Sequence, residues 1–101
     1  MMAGGSKPGP KTVALQKKAD QLMAAYKKKP NPKLKMQASQ AEYEYGYARM
    51  TDQALSPREK YRPALTAFRE TLKLNPNHKQ AKMWKDKIEE IYKGMGMQVP
   101  Q

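Results

Sequence analysis

The sequence predicts an all-α protein whose four helices form two consecutive helical hairpins. Apolar residues recur every three or four positions in four separate segments, which is the spacing of one helix face. Proline, asparagine, glycine or serine separates these segments at 30–32, 54–57, 75–77 and 94–96, and these residue types favour turns. No segment shows the strict alternation of apolar and polar residues that is typical of a strand.

The composition leaves one competing class open, a disordered basic chain. The protein has 101 residues and a net charge of +11, and only 12 residues are Leu, Ile, Val or Phe. High charge with few large aliphatic side chains is typical of disorder, but 12 Ala, 8 Met and 6 Tyr can replace them in closely packed helices. The length fits one small domain, whose core is marginally stable on its own.

The chain divides into a flexible basic arm at 1–10, a helical domain at 11–94 and a C-terminal tail at 95–101. The arm is rich in Gly, Pro and Lys and has no periodicity. It also lacks the apolar run of a signal peptide, which favours a cytoplasmic location, and no segment has the length of a membrane span. Residues 1–37 hold nine Lys and one Asp, a net charge of +8, so the charge belongs mainly to the N-terminal third.

The first two helices follow from apolar spacing. The first begins near Lys11, ends before Pro30, and has an apolar face made of Leu15, Ala19, Leu22 and Tyr26. The second runs from near Lys33 to about Asp52 and carries two apolar stripes, so neighbours should cover it on two sides. Gly46 lies inside this helix, where Gly costs about 1 kcal/mol relative to Ala. A close contact with a neighbouring helix would explain it.

The third and fourth helices are bounded by prolines and asparagines. Ser56 and Pro57 resemble a helix start, but Pro63 follows so closely that we expect a short turn first and a helix proper from near Arg62. Its apolar stripe is formed by Tyr61, Leu65, Phe68 and Leu72. Asn77 is the expected cap of the fourth helix, which has an inner face of Ala81, Trp84, Ile88 and Ile91.

The third helix resembles the second helix of a tetratricopeptide repeat. Ala64 and Phe68 match the A-x-x-x-F step of that family, and Pro76 matches the proline that follows it. Residues 45–48 (Tyr-Gly-Tyr-Ala) resemble part of the repeat's first helix, and the fourth helix resembles the helix that covers the end of an array. The resemblance covers roughly 36–93, about one and a half repeats, with a loop between Gly46 and Ala64 about six residues longer than the family uses.

The resemblance implies a binding module without chemistry of its own, whose concave face holds an extended peptide or a partner helix. By position, Glu42 and the main partner-binding candidates would lie on that face; these candidates are Tyr43, Tyr47, Arg49 and Met50. Repeat arrays generally need about three units to bury a continuous core. In a chain with fewer units, either the first helix and the capping helix complete a compact bundle or an apolar face stays open. We expect the second, with stable binding to a partner or self-association.

The sequence contains no recognisable catalytic set, so we expect no enzyme activity, no cofactor and no metal site. There is no Cys, the single His78 lies at a helix start, and neither Glu42 with Glu44 nor Glu89 with Glu90 has the spacing that places two carboxylates on one helix face. Neither a phosphate-binding glycine loop nor a nucleophile elbow is present.

The basic residues of the N-terminal third form a second candidate surface. The lysines concerned are Lys17, Lys18, Lys27, Lys28, Lys29, Lys33 and Lys35. They fit a solvated face, an acidic protein partner, an anionic membrane surface or nucleic acid. Nucleic acid is the weaker alternative, because only Tyr26 among the aromatic residues lies within this stretch and stacking needs aromatics beside cations.

The sequence thus predicts a non-catalytic protein–protein interaction module, an adaptor or accessory subunit of a larger complex, with a basic N-terminal region. The alternative function is a basic nucleic-acid-binding protein of low sequence specificity.

Overall fold

The computed structural model describes residues 7–101 and confirms the predicted all-α class. Its helices are α1 (Pro10–Lys28), α2 (Pro32–Met50), α3 (Pro57–Leu74) and α4 (Lys79–Gly94), and no strand occurs within the described residues. Each helix packs against the next along the chain, so the fold consists of two consecutive hairpins, and the contact between α2 and α3 is the largest. No helix within 7–101 is both long and apolar enough to cross a membrane.

Prolines and two side-chain caps set the helix starts. Pro occupies the first position of α1, α2 and α3, where a missing N–H costs nothing. The Asn31 side chain accepts a hydrogen bond from the Leu34 N–H at 2.9 Å and caps α2. The cap of α4 is His78, whose Nδ1 accepts from the Ala81 N–H at 3.1 Å. The prediction of Asn77 as the cap is therefore wrong by one residue.

The prediction that α3 starts near Arg62 is also wrong, because the helix begins at Pro57 and runs through Pro63. A proline inside a helix cannot donate to the carbonyl four residues earlier, which here belongs to Glu59. That carbonyl accepts a hydrogen bond from Arg49 Nε of α2 at 3.1 Å. A side chain from the neighbouring helix thus replaces the backbone donor that the helix lacks at Pro63.

Two apolar clusters hold the helices together. The larger one joins α2, α3 and α4 through Met50, Ala64, Leu65, Phe68, Ala81, Ile88 and Tyr92, with Trp84 packed at its edge. The smaller one joins α1 to α2 and α3 through Ala19, Ala41, Tyr45 and Ala67. Small side chains therefore supply much of the core, as the composition predicts.

Gly46 is the point of closest approach between α2 and α3. A Cβ atom at this position would lie 2.9 Å from Cε1 of Phe68 and 3.0 Å from Cβ of Ala67. Phe68 is fully buried, so moving its ring aside would disturb the packed core around it. Only glycine fits at this position, and the close helix contact expected from the sequence is present.

Both ends of the described chain are anchored to the helices. The Gly9 N–H donates to Oδ2 of Asp52 at 2.8 Å, so the end of the predicted arm is fixed, while residues 1–6 of that arm lie outside the described residues. In the tail, Gly96 has a φ of +70°, and the chain then turns back along α3. Arg69 Nη1 donates to the Pro100 carbonyl at 2.8 Å, and Val99 packs against the larger cluster.

Replacing Gly46 with Ala should lower the free energy of unfolding by about 1–3 kcal/mol, because the added methyl overlaps Phe68 and Ala67. In an open helix the same change would stabilise by about 1 kcal/mol. Gly94→Ala is the matched control, since no atom lies within 4 Å of its Cβ position. Chemical denaturation measures both variants, and a Gly46→Ala protein as stable as the wild type would contradict the close contact.

Replacing Arg49 with Met should cost about 1–2 kcal/mol, because the Glu59 carbonyl loses its Arg49 donor. Pro63→Ala restores a backbone N–H that can donate to this carbonyl. The cost of Arg49→Met should therefore fall by about half or more in the Pro63→Ala background. Equal costs in both backgrounds, measured by a double-mutant cycle, would show that Arg49 does not substitute for the missing N–H.

Candidate functional site

A groove of about 780 Å³ lies between the start of α1 and the C-terminal half of α2. Tyr43 and Tyr47 line one side, and Leu15 and Thr12 of α1 line the other. Gln40 and Glu44 add polar groups along its edge and are joined by a hydrogen bond of 3.3 Å. Apolar surface with a few placed polar groups is the usual composition of a binding groove.

Asp52 fixes the α1 side of this groove. Its carboxylate accepts hydrogen bonds from the Gly9 N–H and from Thr12 Oγ1, both at 2.8 Å, and from the Ala54 N–H at 2.9 Å. The Gly9 N–H, followed by the Thr12 hydroxyl, holds the pKa of Asp52 below its usual value. The ionised carboxylate thus ties the start of α1 to the end of α2 and sets the width of the groove.

The aromatic residues beside the groove form one connected cluster. Tyr43 packs against Phe68 and His78, with ring centroids 5.7 and 4.6 Å apart, and burial raises its pKa. Tyr47 follows one turn later, 6.2 Å from Tyr43, and meets Trp84 of α4 edge-on at 6.0 Å. Because Tyr43 is anchored in the core and Tyr47 is 43% exposed, the cluster presents a rigidly held aromatic ring to solvent.

The structure brings only two of the four predicted partner-binding residues into the groove. Tyr43 and Tyr47 line it. Met50 is 8% exposed and belongs to the larger core cluster, so its predicted contact with a partner does not fit its position. Arg49 is half-buried and bonds the Glu59 carbonyl and the Tyr45 hydroxyl, at 3.1 and 3.5 Å, which is a structural role. Both lie on α2 as predicted, but on faces that α3 covers.

The seven predicted basic-patch lysines are all exposed, but they do not form one patch. Lys17 and Lys18 lie midway along α1. The other five, Lys27, Lys28, Lys29, Lys33 and Lys35, surround the turn between α1 and α2. None of the seven forms a salt bridge within residues 7–101. All seven therefore face solvent, with two of them on the middle of α1 and five around the turn.

Several groove residues could not be recognised as site residues from the sequence. Thr12, Gln40 and Asp52 are common surface residue types, and they acquire a role only because the hairpin brings the start of α1 against the end of α2. Trp84 was expected as a core residue between the last two helices. It does pack at the edge of the larger cluster, but it also supports Tyr47.

His78 is engaged as a helix cap. Because its Nδ1 accepts from the Ala81 N–H, its Nε2 carries the proton and donates to Gln40 Oε1 at 3.0 Å. Within residues 7–101, no group of three His, Cys, Asp or Glu side chains is placed to hold a metal ion.

Glu42, the remaining concave-face candidate, points away from the groove toward the α1 and α3 side. The pKa of its carboxyl is raised to about 7, first by burial and then by the negative charges of Asp20 and Glu70, while Lys27 partly offsets the rise. The residue lines a smaller cleft with Tyr45, Arg62 and Glu70. This carboxyl is therefore a source of pH-dependent stability rather than part of the groove.

Comparison with known protein families, with curated proteins and with solved structures finds no match for this chain. The resemblance to tetratricopeptide repeats therefore remains a prediction.

Stability should fall as the pH rises from about 4.5 to about 7, because the folded state holds the Glu42 proton that the unfolded state has released. Glu42→Gln removes this loss of stability, because the glutamine side chain does not ionise. Since the carboxyl is partly exposed and screened by solvent, we expect a gain of about 1 kcal/mol at pH 8, or roughly 4–8 °C in Tm, and none at pH 4. Glu90→Gln, at an exposed position of α4, is the control. A gain for Glu42→Gln that is the same at both pH values would contradict the raised pKa.

Proposed function

We propose that the protein is a non-catalytic protein–protein interaction module, an adaptor or accessory subunit that binds a partner in the groove between α1 and α2. The observation that carries the proposal is Tyr47, a large aromatic side chain that is 43% exposed and held between Tyr43 and Trp84. Exposed Tyr and Trp on a rigid support are the residues that dominate binding energy at protein interfaces. These side chains lose little conformational entropy when a partner binds, because the core already fixes their positions.

The groove suits a protein segment better than a charged small molecule. Its charged groups are Lys11, Glu44 and Asp52, beside the neutral Gln40, so both signs of charge are present. Tyr43, Tyr47 and Leu15 offer apolar contact along its length. An extended peptide or a helix with apolar side chains at intervals would match this pattern.

A tetratricopeptide-like architecture is part of the same proposal. Four helices in consecutive hairpins support it, as does the packing of the motif residues: Ala64 and Phe68 are fully buried, and Phe68 lies directly against Gly46 of the preceding helix. In that architecture the first helix of each repeat faces the ligand. In the repeat that α2 and α3 would form, α2 is the first helix, which agrees with the position of Tyr43 and Tyr47.

The alternative, a nucleic-acid-binding protein of low sequence specificity, is favoured by the seven exposed lysines of α1, α2 and the turn between them. Tyr43 and Tyr47 lie beside Glu44 in the groove, and none of the five lysines around the α1–α2 turn lines it. A stacking platform needs aromatic rings among the cations, so the separation favours the protein-binding function.

A photo-crosslinking amino acid introduced in cells at Gln40, inside the groove, should give one discrete protein adduct. The same group at Thr66, which is exposed on α3, is the control and should give none. Adding Tyr47→Ser to the Gln40 variant should reduce the adduct at least tenfold, as expected for loss of an interface aromatic. An adduct at twice the protein's own mass would identify a second copy as the partner. Equal adducts at both positions, or none at Gln40, would contradict the proposal.

A further inference from the structure

Two turns of the fold meet at one end of the bundle and concentrate positive charge there. Ser39 Oγ donates to the Thr71 carbonyl at 3.2 Å, and Gln40 bonds His78, so the start of α2 lies beside the end of α3 and the start of α4. The α1–α2 turn and the α3–α4 turn therefore share this end. We call it the basic end; it comprises Lys27, Lys28, Lys29, Lys33, Lys35, Lys73 and Lys79.

The basic end has little compensating negative charge. The sequence holds no Asp or Glu from 21 to 41, a stretch that includes the whole α1–α2 turn. Lys73 forms a salt bridge with Glu70 at 3.6 Å, and the charge of Lys27 lowers the pKa of Glu42. The other five lysines have no salt bridge within residues 7–101. The side chains are exposed, so their charges add outside the molecule.

The chemistry of these cations favours a diffuse anionic surface. All seven are Lys, and the first Arg of the chain is Arg49. Arginine provides the planar, bidentate contacts that recognise individual phosphates and bases, whereas lysine acts as a mobile point charge. A patch made only of lysine is suited to attraction by many anionic groups at once, without a fixed geometry for any of them.

Apolar side chains alternate with the cations at the start of α2. Leu34 is partly exposed between Lys33 and Lys35, and Met36 is 53% exposed directly after them. Surfaces that bind the interface of a bilayer combine cations for the headgroups with apolar side chains for the acyl boundary. A phosphate backbone offers no apolar counterpart for the exposed Met36, whereas the acyl boundary of a bilayer does.

We propose that the basic end binds the surface of an anionic lipid bilayer, so that the protein associates peripherally with a membrane through the α1–α2 turn. The groove remains accessible in this position. It extends to Thr51 and Asp52 at the other end of α2, a helix of 19 residues and therefore about 28 Å long. The membrane contact and the partner contact can form together, and neither depends on the other.

Flotation with phosphatidylcholine vesicles containing 30% phosphatidylglycerol, at 150 mM NaCl, tests the proposal with the full chain. The wild type should float with these vesicles and not with pure phosphatidylcholine. Replacing Lys27, Lys28, Lys29, Lys33 and Lys35 with Gln should lower the partition coefficient at least tenfold. The control variant removes the same charge at the opposite end, at Lys7, Lys11, Arg58, Lys60 and Lys93, and should change it less than twofold.

Further variants test separately how positive charge, Met36 and the groove residue Tyr47 contribute to membrane binding. Replacing the same five lysines with Arg should preserve binding, Met36→Ser should weaken it about threefold, and Tyr47→Ser should leave it unchanged. Circular dichroism melts verify that each variant is folded. Equal losses in the two charge variants, no flotation of the wild type, or tighter binding to a 30-nucleotide RNA than to the vesicles at the same salt would each overturn the proposal.

Discussion

The contact between Gly46 and Phe68 is the constraint on which the rest of the structure depends. It lets α2 and α3 approach so closely that a single methyl group would not fit between them. The interface around it is built from small residues such as Ala64 and Ala67, both buried. A chain with few large aliphatic residues can bury a continuous core only if its helices pack this closely, because small side chains make contact only across short distances.

The candidate site is rigid because its aromatic residues are supported by this contact. Tyr43 packs on the same Phe68 ring that fills the space beside Gly46, and Tyr47 is supported by Tyr43 and by Trp84 of α4. The groove is therefore positioned by the core rather than by loops. Arg49 and Asp52 add polar connections on either side, one to the Glu59 carbonyl of α3 and one to the start of α1. Together they fix α1, α2 and α3 around the exposed aromatic residue.

Periodicity and proline positions were sufficient to predict the four helices, the hairpin order and the close contact at Gly46, because these depend on local patterns. The start of α3 was predicted wrongly because Pro63 breaks a local rule, and the compensating donor, Arg49, lies ten residues before Glu59 on another helix. Met50 was assigned to the wrong environment for a related reason. Spacing shows which residues share a face of α2, but not which of its faces α3 covers.

The groove itself could be predicted only in part. Tyr43 and Tyr47 were found because aromatic residues on an amphipathic helix are conspicuous. The opposite wall, with Thr12 and the bonds to Asp52, requires knowing that α1 folds back on α2 in this register. The raised pKa of Glu42 is likewise a product of tertiary packing, because it comes first from burial and then from Asp20 and Glu70, which belong to two other helices.

The most direct measurement of the central constraint is the nuclear Overhauser effect between the Gly46 Hα protons and the Phe68 ring in a labelled sample. The close approach of α2 and α3 predicts an intense cross-peak, because the space beside the Gly46 Cα is filled by Cε1 and Cδ1 of that ring. An absent cross-peak in the folded protein would show that the helices are further apart. The packing described for both clusters, and the support of the aromatic groove, would then be wrong.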